Sequence, residues 1–91
     1  MKDQNFLTEN NARHMWHPMA HPAEMQANPP RVIVGAEGVR IKDIDGHETV
    51  DAVGGLWNVN LGYSCKPVKH AISEQLEALP YYSTFRGPSN D

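Results

Sequence analysis

Val39-Arg40-Ile41-Lys42-Asp43-Ile44-Asp45-Gly46 is the stretch that decides the fold. Apolar and polar residues alternate over its first six positions, the period of a half-buried strand. Asp45-Gly46 follows as a hairpin-turn signal, and Glu48-Thr49-Val50-Asp51-Ala52-Val53 reads as the return strand. Upstream, Arg31-Val32-Ile33-Val34 is mostly β-branched and reads as a further strand, punctuated by Gly35 and Gly38. Two or three short antiparallel strands with one apolar face cannot stand alone in water. A helix or another domain must therefore cover that face.

A helix is predicted from Pro67 to Leu79. Pro67 suits the first helical turn, with Ser64 or Cys65 near the cap. Val68, Ala71, Ile72, Gln75, Leu76 and Leu79 fall at helical spacings, while Lys69, Ser73, Glu74 and Glu77 point outward. Pro80 ends the helix, and Tyr81 to Asp91 shows no periodicity although it carries Tyr81, Tyr82, Phe85 and Arg86. A free tail rarely leaves such aromatics in solvent.

Between strand and helix lies Gly54-Gly55-Leu56-Trp57-Asn58-Val59-Asn60-Leu61-Gly62-Tyr63, uncharged throughout and containing three glycines. Such a run is neither a plain strand nor a plain helix, because its glycines allow positive φ or close approach to another group. The Trp57 indole, a large flat face with one N–H donor, suits either a core corner or the wall of a small-ligand pocket. At the other end, residues 1–30 are rich in Asn, His, Met and Pro, and prolines at 18, 22, 29 and 30 forbid one continuous helix. Glu9 to Trp16 is expected to make two helical turns, with the rest an extended arm lying on something else.

The chain has 91 residues, 40% hydrophobic and 21% charged, ordinary for one small domain. A formal net charge of −3 offers no basic face for nucleic acid and no polybasic membrane anchor. A single cysteine, Cys65, excludes an intrachain disulfide and favours a reducing compartment, hence the cytoplasm. The polar start has no signal-peptide core, and no apolar run is long enough to span a bilayer.

Several groups of residues could carry chemistry. His14, His17 and His21 would line one face as metal ligands if their segment were helical, but Pro18 and Pro22 oppose that geometry. Asp43, Asp45, Glu48 and Asp51 lack calcium-loop spacing and read as a solvated hairpin, with Asp45 the turn former. No dinucleotide or P-loop glycine pattern occurs, and neither the serines nor Cys65 sit in a nucleophile signature. No metal site is expected, and Cys65 reads as a packing residue.

Five pieces in order carry a family resemblance: Arg13-His14-Met15-Trp16-His17-Pro18-Met19, Val39 to Gly46, Asp51-Ala52-Val53-Gly54-Gly55-Leu56-Trp57, Leu61-Gly62-Tyr63, and Leu79-Pro80-Tyr81-Tyr82-Ser83-Thr84-Phe85. From about Asn11 onward the chain resembles the start of class III aminotransferases, pyridoxal-phosphate enzymes of fold type I, and most of all the ω-amino acid:pyruvate branch. The resemblance implies an α+β segment, a small antiparallel sheet plus helix, belonging to the small domain of such a transferase. Residues 1–30 would be an N-terminal arm, 31–80 part of the small domain, and 81–91 the start of a connection to a large cofactor domain.

The same resemblance implies transfer of an amino group from an ω-amino acid or amine to pyruvate, in a homodimer or dimer of dimers. The donor would be taurine, β-alanine, a diamine or an aryl amine. By position, Leu56 and Trp57 would line the substrate pocket, with Met19 of the arm touching it and Phe85 reaching the partner subunit's pocket. Met19 stands where an aromatic is common, which implies a softer wall. Arg86 replaces a more apolar residue and would meet a carboxylate or sulfonate. The Schiff-base lysine, the aspartate for the pyridine nitrogen and the phosphate-binding residues have no counterpart here, so no catalytic or cofactor-binding residue is assigned. These residues alone are expected neither to bind pyridoxal phosphate nor to transaminate. The alternatives are a free-standing α+β interaction module without catalysis and a histidine-arm metal binder.

Overall fold

The computed structural model describes residues 3–89. Helix α1 spans Gln4–His14 and α2 spans Pro22–Ala27. Strands β1 (Ile33–Glu37), β2 (Arg40–Asp43) and β3 (Glu48–Val50) form one antiparallel sheet in the order β1-β2-β3. A turn at Gly54–Trp57 and a long helix, Lys66–Ala78, complete the chain. The expected combination of a small antiparallel sheet with a helix is present.

The arm is more helical than its prolines suggested. Asp3 caps α1 by accepting the Phe6 N–H at 3.4 Å, so the helix starts five residues before the expected Glu9. It stops at His14, and Met15 is extended. Pro22 does not break α2 but opens it, in the first turn where a missing N–H costs nothing. The helices α1 and α2 pack on each other, and the His17 ring pairs with Asn11 Oδ1 at 2.8 Å.

In the sheet, Gly35 lies inside β1 rather than ending it. The pairing steps from Ile33↔Asp43 to Gly35↔Lys42, which leaves Val34 as the extra residue of a bulge. Val39, expected in β2, instead joins Gly38 in a two-residue turn between Glu37 and Arg40, with Gly38 at φ 57°. The return strand ends at Val50, because Asp51 to Val53 already turn toward the next loop.

The link from β2 to β3 corrects the reading of the acidic residues. Asp43, not Asp45, organises it. The Asp43 carboxylate, only 3% exposed, accepts the N–H groups of Asp45 at 3.1 Å and His47 at 2.9 Å. Arg31 reaches it through Nη2 at 3.1 Å, and the His47 ring through Nδ1 at 3.2 Å. Burial pushes the carboxyl up, but the bonds from His47 and Arg31 outweigh it and hold Asp43 below its ordinary value of 3.8. A depressed carboxyl supports the fold above that ordinary value and ceases to as pH falls through the lower folded value. On acid titration, the side-chain carboxyl carbon resonance of Asp43 should therefore show its midpoint below 3.8, and a midpoint at or above it would contradict this linkage.

The long helix starts at Lys66 with Pro67 in its first turn, as its periodicity required. Its apolar stripe stays open: Val68 is 46% exposed, Ile72 55% and Leu76 55%. The tail aromatics are exposed as well, contrary to expectation, although Tyr81 and Tyr82 line a crevice of about 310 Å³ with Ile72 and Leu76. Among the described residues only Ala12 and Asp43 are buried. The loops are therefore held by hydrogen bonds rather than by a core.

Candidate functional site

Gly54-Gly55-Leu56-Trp57 forms one turn of left-handed helix. Its φ values are 58°, 60°, 64° and 69° in order. Trp57 N–H donates to Val53 C=O at 3.0 Å and Asn58 N–H to Gly54 C=O at 3.1 Å, the spacing of a helical turn in mirror-image backbone. Glycine enters this region freely, but leucine and tryptophan pay roughly 1–2 kcal/mol each for a Cβ close to the following carbonyl oxygen. A Cβ at Gly55 would lie 2.6 Å from Val59 Cγ2 and 2.7 Å from Asn58 Oδ1, so these side chains would have to shift to admit a larger residue.

That backbone turns both side chains outward. Among the described residues Leu56 is 67% exposed and Trp57 81%. The left-handed course at Leu56 should make it a site of stabilisation. Leu56→Gly is expected to raise stability by about 0.5–1 kcal/mol, since relief of the backbone cost exceeds the lost chain stiffness. A denaturant midpoint for this variant below that of the parent would contradict the left-handed assignment.

Of the other expected site residues, Met19 lies between α1 and α2 with φ 57° and its side chain fully open. Phe85, 87% exposed, and Arg86 sit on the tail, where Phe85 N–H donates to Ser83 Oγ at 3.4 Å. Leu56 and Trp57 are neighbours on one turn, and Phe85 and Arg86 are neighbours on the tail. Met19 of the arm, the Leu56–Trp57 turn and the Phe85–Arg86 tail are three separate exposed segments, so the described residues do not close a pocket around all five.

A second feature escaped the sequence. Asp51 accepts the N–H groups of Val53 at 3.1 Å and Gly55 at 2.6 Å, together with the Tyr63 hydroxyl. The Tyr63 bond, followed by the Gly55 amide, holds the Asp51 carboxyl below its ordinary value, while the same bond pushes the Tyr63 phenol up. The only hint in the sequence was an acid three residues before a Gly-Gly pair. The Tyr63 partner, twelve residues on, carried no local signal.

α1 ends at His14, so His14, His17 and His21 do not share a helix face. Asp43, Asp45 and His47 do bring ligand atoms within 4.8 Å of one another, but the Asp43 carboxylate is already engaged by Arg31 and His47. Pyridoxal phosphate needs a desolvated lysine, a free carboxylate for the ring nitrogen and an amide cradle for phosphate. Lys42, Lys66 and Lys69 are exposed, Asp43 is occupied, and Ser64 before the long helix already accepts the Gly38 N–H at 2.8 Å. Lys2 lies outside the described residues. These residues do not fit the cofactor.

The comparisons with known proteins agree with one another. A model of the family Aminotransferase class-III matches residues 21–90. The taurine–pyruvate aminotransferase of Rhodobacter capsulatus is 44% identical over 75 residues, covering 81% of this chain and 16% of that protein. A thermostable (S)-enantioselective ω-transaminase from Thermomicrobium roseum superposes with a TM-score of 0.84 at 30% identity, over 99% of this chain and 20% of that one. The ω-transaminase of Pseudomonas jessenii, solved in complex with PMP, gives 0.79 at 29% identity, over 93% and 19%. The chain thus spans about a sixth to a fifth of the length of these relatives. With the family matched over most of its residues, and the sheet, turn and helix superposing on solved transaminases, the chain belongs to the class III aminotransferases, whose cofactor is pyridoxal 5′-phosphate.

Proposed function

We propose that these residues form the donor-recognition part of an aminotransferase that moves an amino group from an ω-amino acid or amine to pyruvate. The single observation that carries this reading is the left-handed turn, which spends backbone energy to hold Leu56 and Trp57 out of any core of their own. Strain of that kind is kept where side-chain placement matters. The Rhodobacter relative acts on taurine and pyruvate by its name, which supports pyruvate as acceptor and a short acidic amine as one donor class.

In the complete enzyme, Leu56 and Trp57 press on the donor's side chain and exclude water from it, Met19 adds an adaptable apolar contact, and Phe85 reaches a neighbouring subunit's pocket. Arg86 meets the donor's carboxylate or sulfonate. The sheet and long helix belong to the small domain, and the open Val68, Ile72 and Leu76 stripe is covered by the rest of the enzyme. Bound pyridoxal phosphate supplies the carrier for the amino group, held by a lysine that the described residues do not include. The enzyme works in the cytoplasm as a homodimer or dimer of dimers, without nucleic acid or membrane partners.

The test is alanine formation from pyruvate by the enzyme carrying this segment, with taurine, β-alanine, a diamine and 1-phenylethylamine as donors. Alanine with at least one donor supports the reading, and none with any of them defeats it. For Arg86, the Arg86→Ala variant is expected to lose about tenfold or more in kcat/KM for taurine while keeping that for 1-phenylethylamine, the size of one charge-assisted pair. Equal loss for both donors would remove Arg86 from the site.

A further inference from the structure

The loop from Asp51 to Ser64 is fixed at both ends to one place, the two-residue turn between β1 and β2. At its start, Asp51 N–H donates to Val39 C=O at 2.9 Å. At its end, Tyr63 N–H donates to Gly38 C=O at 2.8 Å, and Ser64 Oγ accepts the Gly38 N–H at 2.8 Å. The ends are then tied to each other, because the Asp51 Oδ2 atom that accepts the Gly55 N–H also accepts the Tyr63 hydroxyl.

Leu56 and Trp57 follow directly on Gly55 and hold a backbone course that neither residue adopts unaided. A strained course persists only where the surroundings over-determine it. Packing does not do so here. Neither side chain is buried, and the chain beyond the turn, from Asn58 to Tyr63, faces the start of the long helix across an open crevice of about 610 Å³. Beside the turn's own bonds, from Trp57 N–H to Val53 C=O and from Asn58 N–H to Gly54 C=O, the group that ties it to the rest of the loop is the carboxylate, which fixes the Gly55 amide from one side and is itself fixed by Tyr63 from the other.

We propose that Asp51 and Tyr63 form a clasp that positions Leu56 and Trp57, so that choice among amine donors depends on these two residues acting through the turn. Both are positioning residues. The proposal rests on the reading of Leu56 and Trp57 as donor-pocket wall, and it adds what sets the angle of that wall. Its chemistry requires an ionised Asp51, able to accept three donors at once, and a protonated Tyr63.

A mutant cycle on the holoenzyme tests it. The ratio of kcat/KM for 1-phenylethylamine to that for β-alanine is measured for the parent, Tyr63→Phe, Trp57→Gly and the double variant. Tyr63→Phe keeps the ring and removes one donor, and is expected to change the ratio about fivefold or more while the cofactor's visible absorbance stays as in the parent. On the Trp57→Gly background the same change should shift the ratio clearly less than in the parent, since glycine needs no clasp to hold positive φ and only Leu56 is left for it to position. Equal loss of kcat/KM for both donors in Tyr63→Phe, or an undiminished shift in the double variant, overturns the clasp. If Trp57→Gly itself leaves the ratio unchanged, the pocket-wall reading falls and the clasp with it. If Trp57→Gly shifts the ratio and Tyr63→Phe does not, the clasp alone falls. Should Tyr63→Phe fail to accumulate as holoenzyme, Asp51→Asn enters the same cycle with the same expectations.

Discussion

Gly62→Val destabilises the protein by on the order of 3 kcal/mol, the combined cost of left-handed backbone at a β-branched residue and of overpacking. Gly62 has φ 74°, a region that valine avoids. A Cβ there would also sit 2.8 Å from the Gly38 carbonyl oxygen, with the carbonyl carbon at 3.4 Å. Both atoms are backbone, and that carbonyl is held in place by the Tyr63 N–H. No side chain can swing aside to make room, so the loop must leave the sheet or the turn must deform. Gly35→Ala is the control, because a Cβ there meets nothing within 4 Å and its φ is not positive. Denaturant midpoints should fall sharply for Gly62→Val and stay within about 0.5 kcal/mol of the parent for Gly35→Ala. Similar midpoints for the two variants would show that the Gly38–Gly62 contact does not hold the loop.

The second large effect is on selectivity. Trp57→Gly should raise the kcat/KM ratio of 1-phenylethylamine over β-alanine at least about tenfold, since one methylene more or less in an apolar pocket already shifts discrimination by that order. Loss of the indole opens space that an aryl donor fills and a three-carbon donor does not. The variant should not be less stable, because glycine accepts φ 69° without strain. A fall in activity toward both donors with the ratio preserved would mean that the indole supports the structure and does not sort donors.

The parts of this fold that were legible in the sequence are those with local causes. Alternation from Arg40 to Asp43 and the Pro67-led stripe of Val68, Ile72 and Leu76 both act within one element, and both elements appear where expected. The glycines at 54, 55 and 62 announced positive φ correctly. That Leu56 and Trp57 would share it was hidden, because neither residue favours it and its cause lies in Asp51 and Tyr63, twelve positions apart. Asp43 was misjudged for the same reason, since one of its partners, Arg31, lies twelve positions away in sequence. In the arm, α1 runs from the Asp3 cap to His14 and so ends before the first proline, Pro18. Of the candidate site, residue pattern alone marked Trp57 as ambiguous. Met19, Phe85 and Arg86 were carried by family resemblance, and no periodicity or spacing pointed to them.

The measurement closest to the central claim is a crystal structure of the complete holoenzyme with an amine inhibitor bound. The account predicts Leu56 and Trp57 still at positive φ, Tyr63 still bonded to Asp51, and the indole within about 4 Å of the inhibitor's side chain. An indole turned away from the inhibitor, with the Gly54–Trp57 turn relaxed to ordinary backbone, would contradict it.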